Sequence, residues 1–243
     1  MVMPPSLQVL ERMRNPNDAN GVAFSQDTLK KGFYIRYGKR IFDFVFSAVG
    51  LLMLTPLFVL VAICIKLTSR GSVFFRQTRV GKDGQPFQIV KFRSMLEIAS
   101  KMPPSITVSG DARITPVGRI LRRYKIDELP QLWNVFLGSM SFVGPRPELP
   151  KYVEAYSFDQ KHVLCVRPGV TDPASLAYRN EEEILSESQD PEEIYRTQIL
   201  PDKLRRNLAY LQAISFCHDV RIIFLTLACA FLFIRKNPVR FEN

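Results

Sequence analysis

The 22 residues from Phe44 to Ile65 carry no charged side chain, and this run limits what the chain can fold into. As a straight helix it would be roughly 33 Å long, about the thickness of a bilayer's hydrocarbon core. The plainest expectation is a spanning helix. Two features oppose it. Thr55–Pro56 stands in mid-run, where proline removes a backbone hydrogen bond and bends a helix. Both flanks are also basic: Lys30, Lys31, Arg36, Lys39 and Arg40 before the run, and Lys66, Arg70, Arg76 and Arg79 after it. Positive residues favour the cytoplasmic side. With both ends there, the segment would enter and return as a bent hairpin, broken at Thr55–Pro56. Charge and proline by themselves leave spanning and re-entrant arrangements open. Asp43, at the entry, needs a partner, and Lys39 or Arg40 is the expected one.

Charge is concentrated around this segment. The chain has 243 residues and a formal net charge of +10. Residues 30–125 hold 18 Lys/Arg against 4 Asp/Glu, and the remainder is slightly acidic. Such a block suits an anionic membrane surface and phosphate-bearing ligands. Nucleic acid is the competing partner, but no nucleic-acid motif supports it. The cysteines Cys64, Cys165, Cys217 and Cys229 form no CxxC pattern, so neither a disulfide framework nor a thiolate metal site is expected. Only His162 and His218 are present, which disfavours zinc and His-based triads. Residues 1–32 read as a mobile arm. They lack the apolar core and cleavage site of a secretory signal.

Beyond the apolar run, VFFRQTRV and PFQIVKF flank Gly81–Lys82–Asp83–Gly84 and read as a β-hairpin. In the second strand Lys91 and Arg93 alternate with Val90 and Phe92. Both cations should point to one face, either as solvated surface or as a diphosphate clamp. Met95 to Ser109 reads as helix, then loop, broken at Pro103–Pro104. Arg119, Arg122 and Arg123 fall on a short helix before Asp127–Glu128. LPQLWNVFL then carries Leu129, Leu132, Trp133 and Phe136 at helical spacing. Pro130 suits a first helical turn. Asp127 is thereby the expected N-cap, ionised beside unpaired N–H groups that could also receive phosphate oxygens. Taken alone, two acids in a first turn are ordinary capping. Acids, arginines and an apolar anchor occurring together argue for more. Pro168–Gly169 and Asp172–Pro173 read as turns, and Glu181–Glu182–Glu183 as a solvated face. Pro201 to Ser215 reads as a helix. The apolar run Ile222–Ile234 is too short to span and reads as an interfacial helix, with a buried core helix as the alternative.

Taken in order, KRIFD, the proline-centred apolar run, FFRQTRVGKDGQPFQIVKFRSM and RITPVGRILRRYKIDELPQLWNVFLGSMSFVGPRP resemble the bacterial sugar transferases, the monotopic polyprenyl-phosphate phosphoglycosyl transferases. The resemblance covers residues 38–170. It implies an α+β, mostly helical fold with a re-entrant membrane helix–break–helix, a small β-hairpin, and cytosolic helices that include interfacial amphipathic ones. The expected divisions are an arm at 1–37, a membrane helix at 38–70 and a catalytic domain at 71–243. The family's break is commonly Ser-Pro, and here it is Thr55–Pro56.

The implied activity moves a sugar 1-phosphate from a UDP-sugar to undecaprenyl phosphate through a phosphosugar–aspartate intermediate, releasing UMP. Asp127 maps to the nucleophile and Glu128 to its dyad partner, the two together holding Mg²⁺. Arg122, Gln131, Pro145, Arg146 and Pro147 join Lys91 and Arg93 as substrate-binding residues. The implied setting is the bacterial cytoplasmic membrane, with the catalytic domain facing the cytoplasm among membrane lipids. A homodimer and no nucleic-acid partner are also expected. After Val170 the chain departs from a common Gly-Trp-Ala-Gln-Val-Asn-Gly-Arg-like segment and reads TDPASLAYRNEEEIL. Donor-sugar preference and the roles of Asp172 and Arg179 are thereby left open. Two competing functions are a non-catalytic membrane scaffold and a glycosyltransferase that releases UDP.

Overall fold

A computed structural model describes residues 33–96, 107–108 and 110–231. Residues 1–32 of the expected arm at 1–37, the break at Pro103–Pro104 and the end of the last apolar run lie outside the described residues, while 33–37 are helical. A π-turn at Tyr34–Gly38 leads into α1, Lys39–Thr68. Together they form the one helix, among the described residues, that is long and apolar enough to cross a membrane.

The expected interruption at Thr55–Pro56 is absent, because α1 runs continuously with Pro56 inside it. Proline removes one ladder bond, and neighbouring turns can hold a helix together across that loss. Thr55 Oγ1 donates to the Leu51 carbonyl at 2.8 Å, a side-chain bond of the kind that bends helices. Packing holds α1 on both sides of the proline. Before it, Phe44 stacks on Phe136 with centroids 5.0 Å apart. After it, Phe58 meets Phe92 edge-on at 5.2 Å, and Val61 and Ile65 are buried with Leu121. Both halves therefore sit on the same globular body. The opposite face is apolar and open: Leu52, Met53, Leu60, Ile63 and Leu67 are exposed.

The expected Asp43 ion pair is also corrected. Asp43 is buried, and its Oδ1 accepts from the Phe142 N–H at 3.0 Å. Lys39 instead pairs with Asp219, which also accepts from Tyr34 and Tyr210, each at 2.7 Å. Arg40 donates to the carbonyls of Val135 and Phe136 at 2.6 and 2.7 Å. The last carbonyls of a helix lack partners and attract cations, so Arg40 is drawn there rather than to Asp43.

Strands β1, Phe74–Val80, and β2, Pro86–Phe92, form the expected antiparallel hairpin, in register from Phe74 opposite Phe92 to Val80 opposite Pro86. Helix α2, Pro116–Arg123, follows, capped by Thr115 Oγ1 accepting from the Gly118 N–H at 2.9 Å. Next come a 3₁₀ turn at Ile126–Glu128, α3 at Gln131–Leu137 and strand β3 at Ser141–Val143. Helix α4, Pro150–Val153, and a 3₁₀ turn at Gln160–Cys165 lead to strand β4, Gly169–Thr171. Strands β3 and β4 pair in parallel, so Pro168–Gly169 opens a strand where a turn was expected. Glycine makes the pairing possible, since a Cβ on Gly169 would lie 2.2 Å from the Gly144 nitrogen.

Among the described residues there follow α5 Pro173–Ala177, α6 Glu181–Ser186, α7 Pro191–Ile194, a π-turn at Tyr195–Ile199, α8 Leu200–Gln212 and α9 Phe216–Phe231. Helix α8 answers to the expected Pro201–Ser215. Tyr152, Tyr156, Leu185, Tyr195, Ile199 and Leu204 form the main core of this half. In α9, Ile222 is buried while Phe216, Phe224 and Leu227 are exposed, so the helix is partly core and partly open apolar face. The fold is mostly helical with small sheets, and all four cysteines are free thiols.

Candidate active site

The site forms where α2 hands over to α3. Lys125 adopts a left-handed conformation, φ 57°, turning the chain sharply so that Ile126–Glu128 coils as its own 3₁₀ turn. Pro130 directly precedes α3. Asp127 is thus not the N-cap of that helix, and α3 has no side-chain cap. Ile126–Glu128 is taken up by the 3₁₀ turn and α3 starts only at Gln131, with Pro130 at its N-cap position, whereas an Asp127 cap would need the helix to start at Glu128.

Asp127 is instead buried, and its Oδ1 has no hydrogen-bond partner. An uncompensated buried carboxylate oxygen is costly. Burial first, and the neighbouring Glu128 charge second, push the Asp127 carboxyl above its ordinary range, against Lys91, Lys125 and Arg122. It is therefore not the plainly ionised capping acid expected from sequence.

Glu128 is in the opposite condition. Lys91 Nζ lies 2.8 Å from its Oε1. Arg146 grips both oxygens, through Nη1 to Oε2 at 3.2 Å and through a shorter bond from Nη2 to Oε1. Burial works to raise this carboxyl, but Arg146, Lys91 and Lys125 outweigh it and hold Glu128 well below the usual carboxylate range. The Glu128 charge in turn raises Arg146. Two adjacent acids thus have environments that drive them apart: one held ionised by two cations, the other buried with one oxygen unpartnered.

The Pro145–Arg146–Pro147 turn is held from behind. The Arg146 N–H donates to Asp172 Oδ2 at 2.9 Å, the Gly169 N–H to the Pro145 carbonyl at 3.0 Å, and Arg79 Nη1 to the Pro147 carbonyl at 3.3 Å. Asp172 caps α5 through the Ser175 N–H and also accepts from Asn207 at 2.9 Å. The β3–β4 pair carries these groups to one place. Sequence left Asp172 without a role, although Asp before Pro is an N-cap signal. Asn207 and the parallel pair gave no such signal.

Arg122 is ion-paired with Glu182 and its buried Nε has no partner. Gln131 is buried, and its Nε2 also lacks a partner. The expected clamp of Lys91 with Arg93 does not form. Lys91 reaches Glu128, whereas Arg93 Nη2 bonds the carbonyl and hydroxyl of Ser69, at 2.9 and 2.8 Å, beyond the end of α1. Strand β2 stops at Phe92, so its alternation does not carry Arg93 to the acids. Glu181–Glu182–Glu183 is not simply a solvated face: Glu181 pairs with Lys203 and Glu182 with Arg122.

Among the described residues no group of three or more His, Cys, Asp or Glu could hold a metal ion. Magnesium needs less, since it commonly takes one or two carboxylates plus substrate phosphates and water. The Asp127 carboxyl fits that role through one of its two oxygens. Glu128 fits it once one of its two cations turns to another anion.

The family model for bacterial sugar transferases matches residues 34–232. A UDP-glucose:undecaprenyl-phosphate glucose-1-phosphate transferase of Klebsiella pneumoniae is 35% identical over 198 residues, covering 80% of this chain and 40% of that protein. A protein of the same name in Caulobacter vibrioides is 38% identical over 191 residues, covering 77% of this chain and 67% of that protein. A UDP-N-acetylgalactosamine-undecaprenyl-phosphate N-acetylgalactosaminephosphotransferase of Aeromonas hydrophila is 34% identical over 194 residues, covering 78% and 42%. The chain spans about 40% of the length of the Klebsiella and Aeromonas relatives. Their names carry two different sugars.

Proposed function

The chain belongs to the bacterial sugar transferase family, and from that premise we propose that it transfers a sugar 1-phosphate from a UDP-sugar to undecaprenyl phosphate through Asp127. The observation that carries this reading is the buried Asp127 Oδ1, which has no partner and lies among Lys91, Lys125 and Arg122. In the first step that oxygen attacks the β-phosphorus of the donor. The bond from phosphorus to the bridging oxygen breaks, UMP leaves, and the sugar phosphate remains on Asp127 as an acyl phosphate. In the second step an oxygen of the lipid phosphate attacks the same phosphorus, the carboxylate departs, and a polyprenyl diphosphate sugar forms. Division into two steps keeps two anionic substrates from having to meet.

The other groups have distinct parts in this reading. Glu128 anchors Arg146 and Lys91 beside the nucleophile, and Arg122, Gln131 and Arg146 face the charge of the transferring phosphoryl group. Pro145 and Pro147 stiffen the turn that presents Arg146. Asp127 and Glu128, with the donor's phosphate oxygens, would hold Mg²⁺, which would neutralise phosphate charge and polarise the phosphorus.

The re-entrant arrangement of α1 is part of the proposal. Its support is that residues before and after Pro56 pack on one body and that both flanks of the apolar run are basic; both ends would then lie on one side, taken as the cytoplasmic side. The apolar faces of α1 and α9 would then lie in the lipid. The test is a panel of UDP-sugars with undecaprenyl phosphate and Mg²⁺, analysed for nucleotide. UMP together with a phosphosugar trapped on Asp127 supports the reading. UDP as the only nucleotide product sinks it.

A further inference from the structure

Resting on that reading of the site, we infer that Glu182 is a positioning residue for the donor's diphosphate, acting through Arg122. Glu182 belongs to the segment after Val170 that departs from the family-like pattern, so its role does not follow from the resemblance.

The argument begins with how α6 is fixed. Glu181 pairs with Lys203 at 2.5 Å. Lys203 is buried on α8 and lies 5.1 Å from the Tyr195 ring centroid. The first turn of α6 is thereby tied to the core. From that platform Glu182 reaches Arg122 Nη2. Arg122 stands five residues before Asp127, and its charge acts on the Asp127 carboxyl.

One nitrogen of the guanidinium is therefore engaged while the buried Nε has no partner. A guanidinium offers planar donors in a fixed fork, well matched to phosphate. Tied by Glu182, Arg122 presents its remaining donors in one orientation beside the acid pair. Without the tie, a long side chain must lose its rotamer freedom when the donor binds. Glu182 is also the more exposed partner, its side chain being 43% accessible against 21% for Arg122. Its loss opens no core cavity.

The test uses the full chain in detergent or nanodiscs, with Glu182→Gln, Glu182→Asp and Arg122→Gln. Two readouts are taken: the steady-state constants for the donor, and the Kd for UDP by calorimetry, which needs no turnover. Glu182→Gln is expected to raise the donor KM and the UDP Kd about 3- to 10-fold, with kcat changed less than twofold and Tm unchanged. Glu182→Asp restores part of the loss. In the Arg122→Gln background the Glu182→Gln change has no further effect.

An unchanged or lowered KM and Kd in Glu182→Gln overturns the inference, because Glu182 would then be a bystander or a competitor of phosphate. A wild-type chain that binds UDP but makes no UMP refutes the proposed reaction, while the Kd shift still decides the role of Glu182. A wild-type chain that does not bind UDP refutes both.

Discussion

Asp127 and Glu128 are neighbours in sequence with opposite surroundings, and this sets the chemistry of the site. Asp127 is held above its ordinary range by burial and by Glu128, yet in the proposed reaction it must be ionised to attack. The acid limb of kcat/KM should therefore lie above the ordinary aspartate value of about 4. Arg122→Gln removes a cation that favours the ionised form, so it should move that limb to higher pH. A limb at or below the ordinary value would show that Asp127 is not the group being titrated. Linkage adds a stability effect. A carboxyl whose folded pKa is raised gives stability that is present at low pH and lost as pH rises through the folded value. At neutral pH the ionised Asp127 thus opposes folding. Asp127→Asn should abolish turnover and leave the Tm at or above that of the wild type. A clear drop in Tm would mean that Asp127 holds the fold. Sequence made the acid pair visible but not the asymmetry, because Lys91 and Arg146 reach Glu128 from 37 and 18 residues away.

At the scale of elements, the site depends on close backbone approaches. Gly118, in the first turn of α2, lies against the Ser94 backbone after β2: a Cβ there would be 1.9 Å from the Ser94 carbonyl oxygen. Gly118→Ala must push α2 away from the hairpin, which carries Lys91. The expected result is about 1–3 kcal/mol of destabilisation and lost activity, measured by denaturant unfolding and UMP release. Wild-type stability would show that the two elements are not packed this closely. The hairpin was legible from alternation around a glycine turn, and α8 from its helical spacing. The β3–β4 pair was not legible. Each strand has three residues, too few for a periodic signal, and they pair across a long connection. Arg93 was misread for a related reason: alternation fixes a face only while the strand lasts.

For the whole molecule, α1 is a structural element and, in the proposed reading, also the membrane anchor. Its inner face joins two parts of the body, and its outer face is apolar. If the ends share one side of the membrane, single cysteines replacing exposed Phe33 and Lys66 in a cysteine-free chain should react together. A membrane-impermeant maleimide should label both from the cytoplasmic face of sealed vesicles, and neither from the other face. Labelling from opposite faces would establish a spanning helix. The sequence by itself determined the apolar run with its basic flanks, the hairpin and the acid pair. Those are local signals, written in residue type and spacing. Only the tertiary structure decided that Asp127 keeps a bare oxygen while Glu128 is saturated, that Arg93 serves the end of α1, and that Glu182 holds Arg122. Each of these depends on which distant side chains share a buried volume, and spacing along a chain does not encode that.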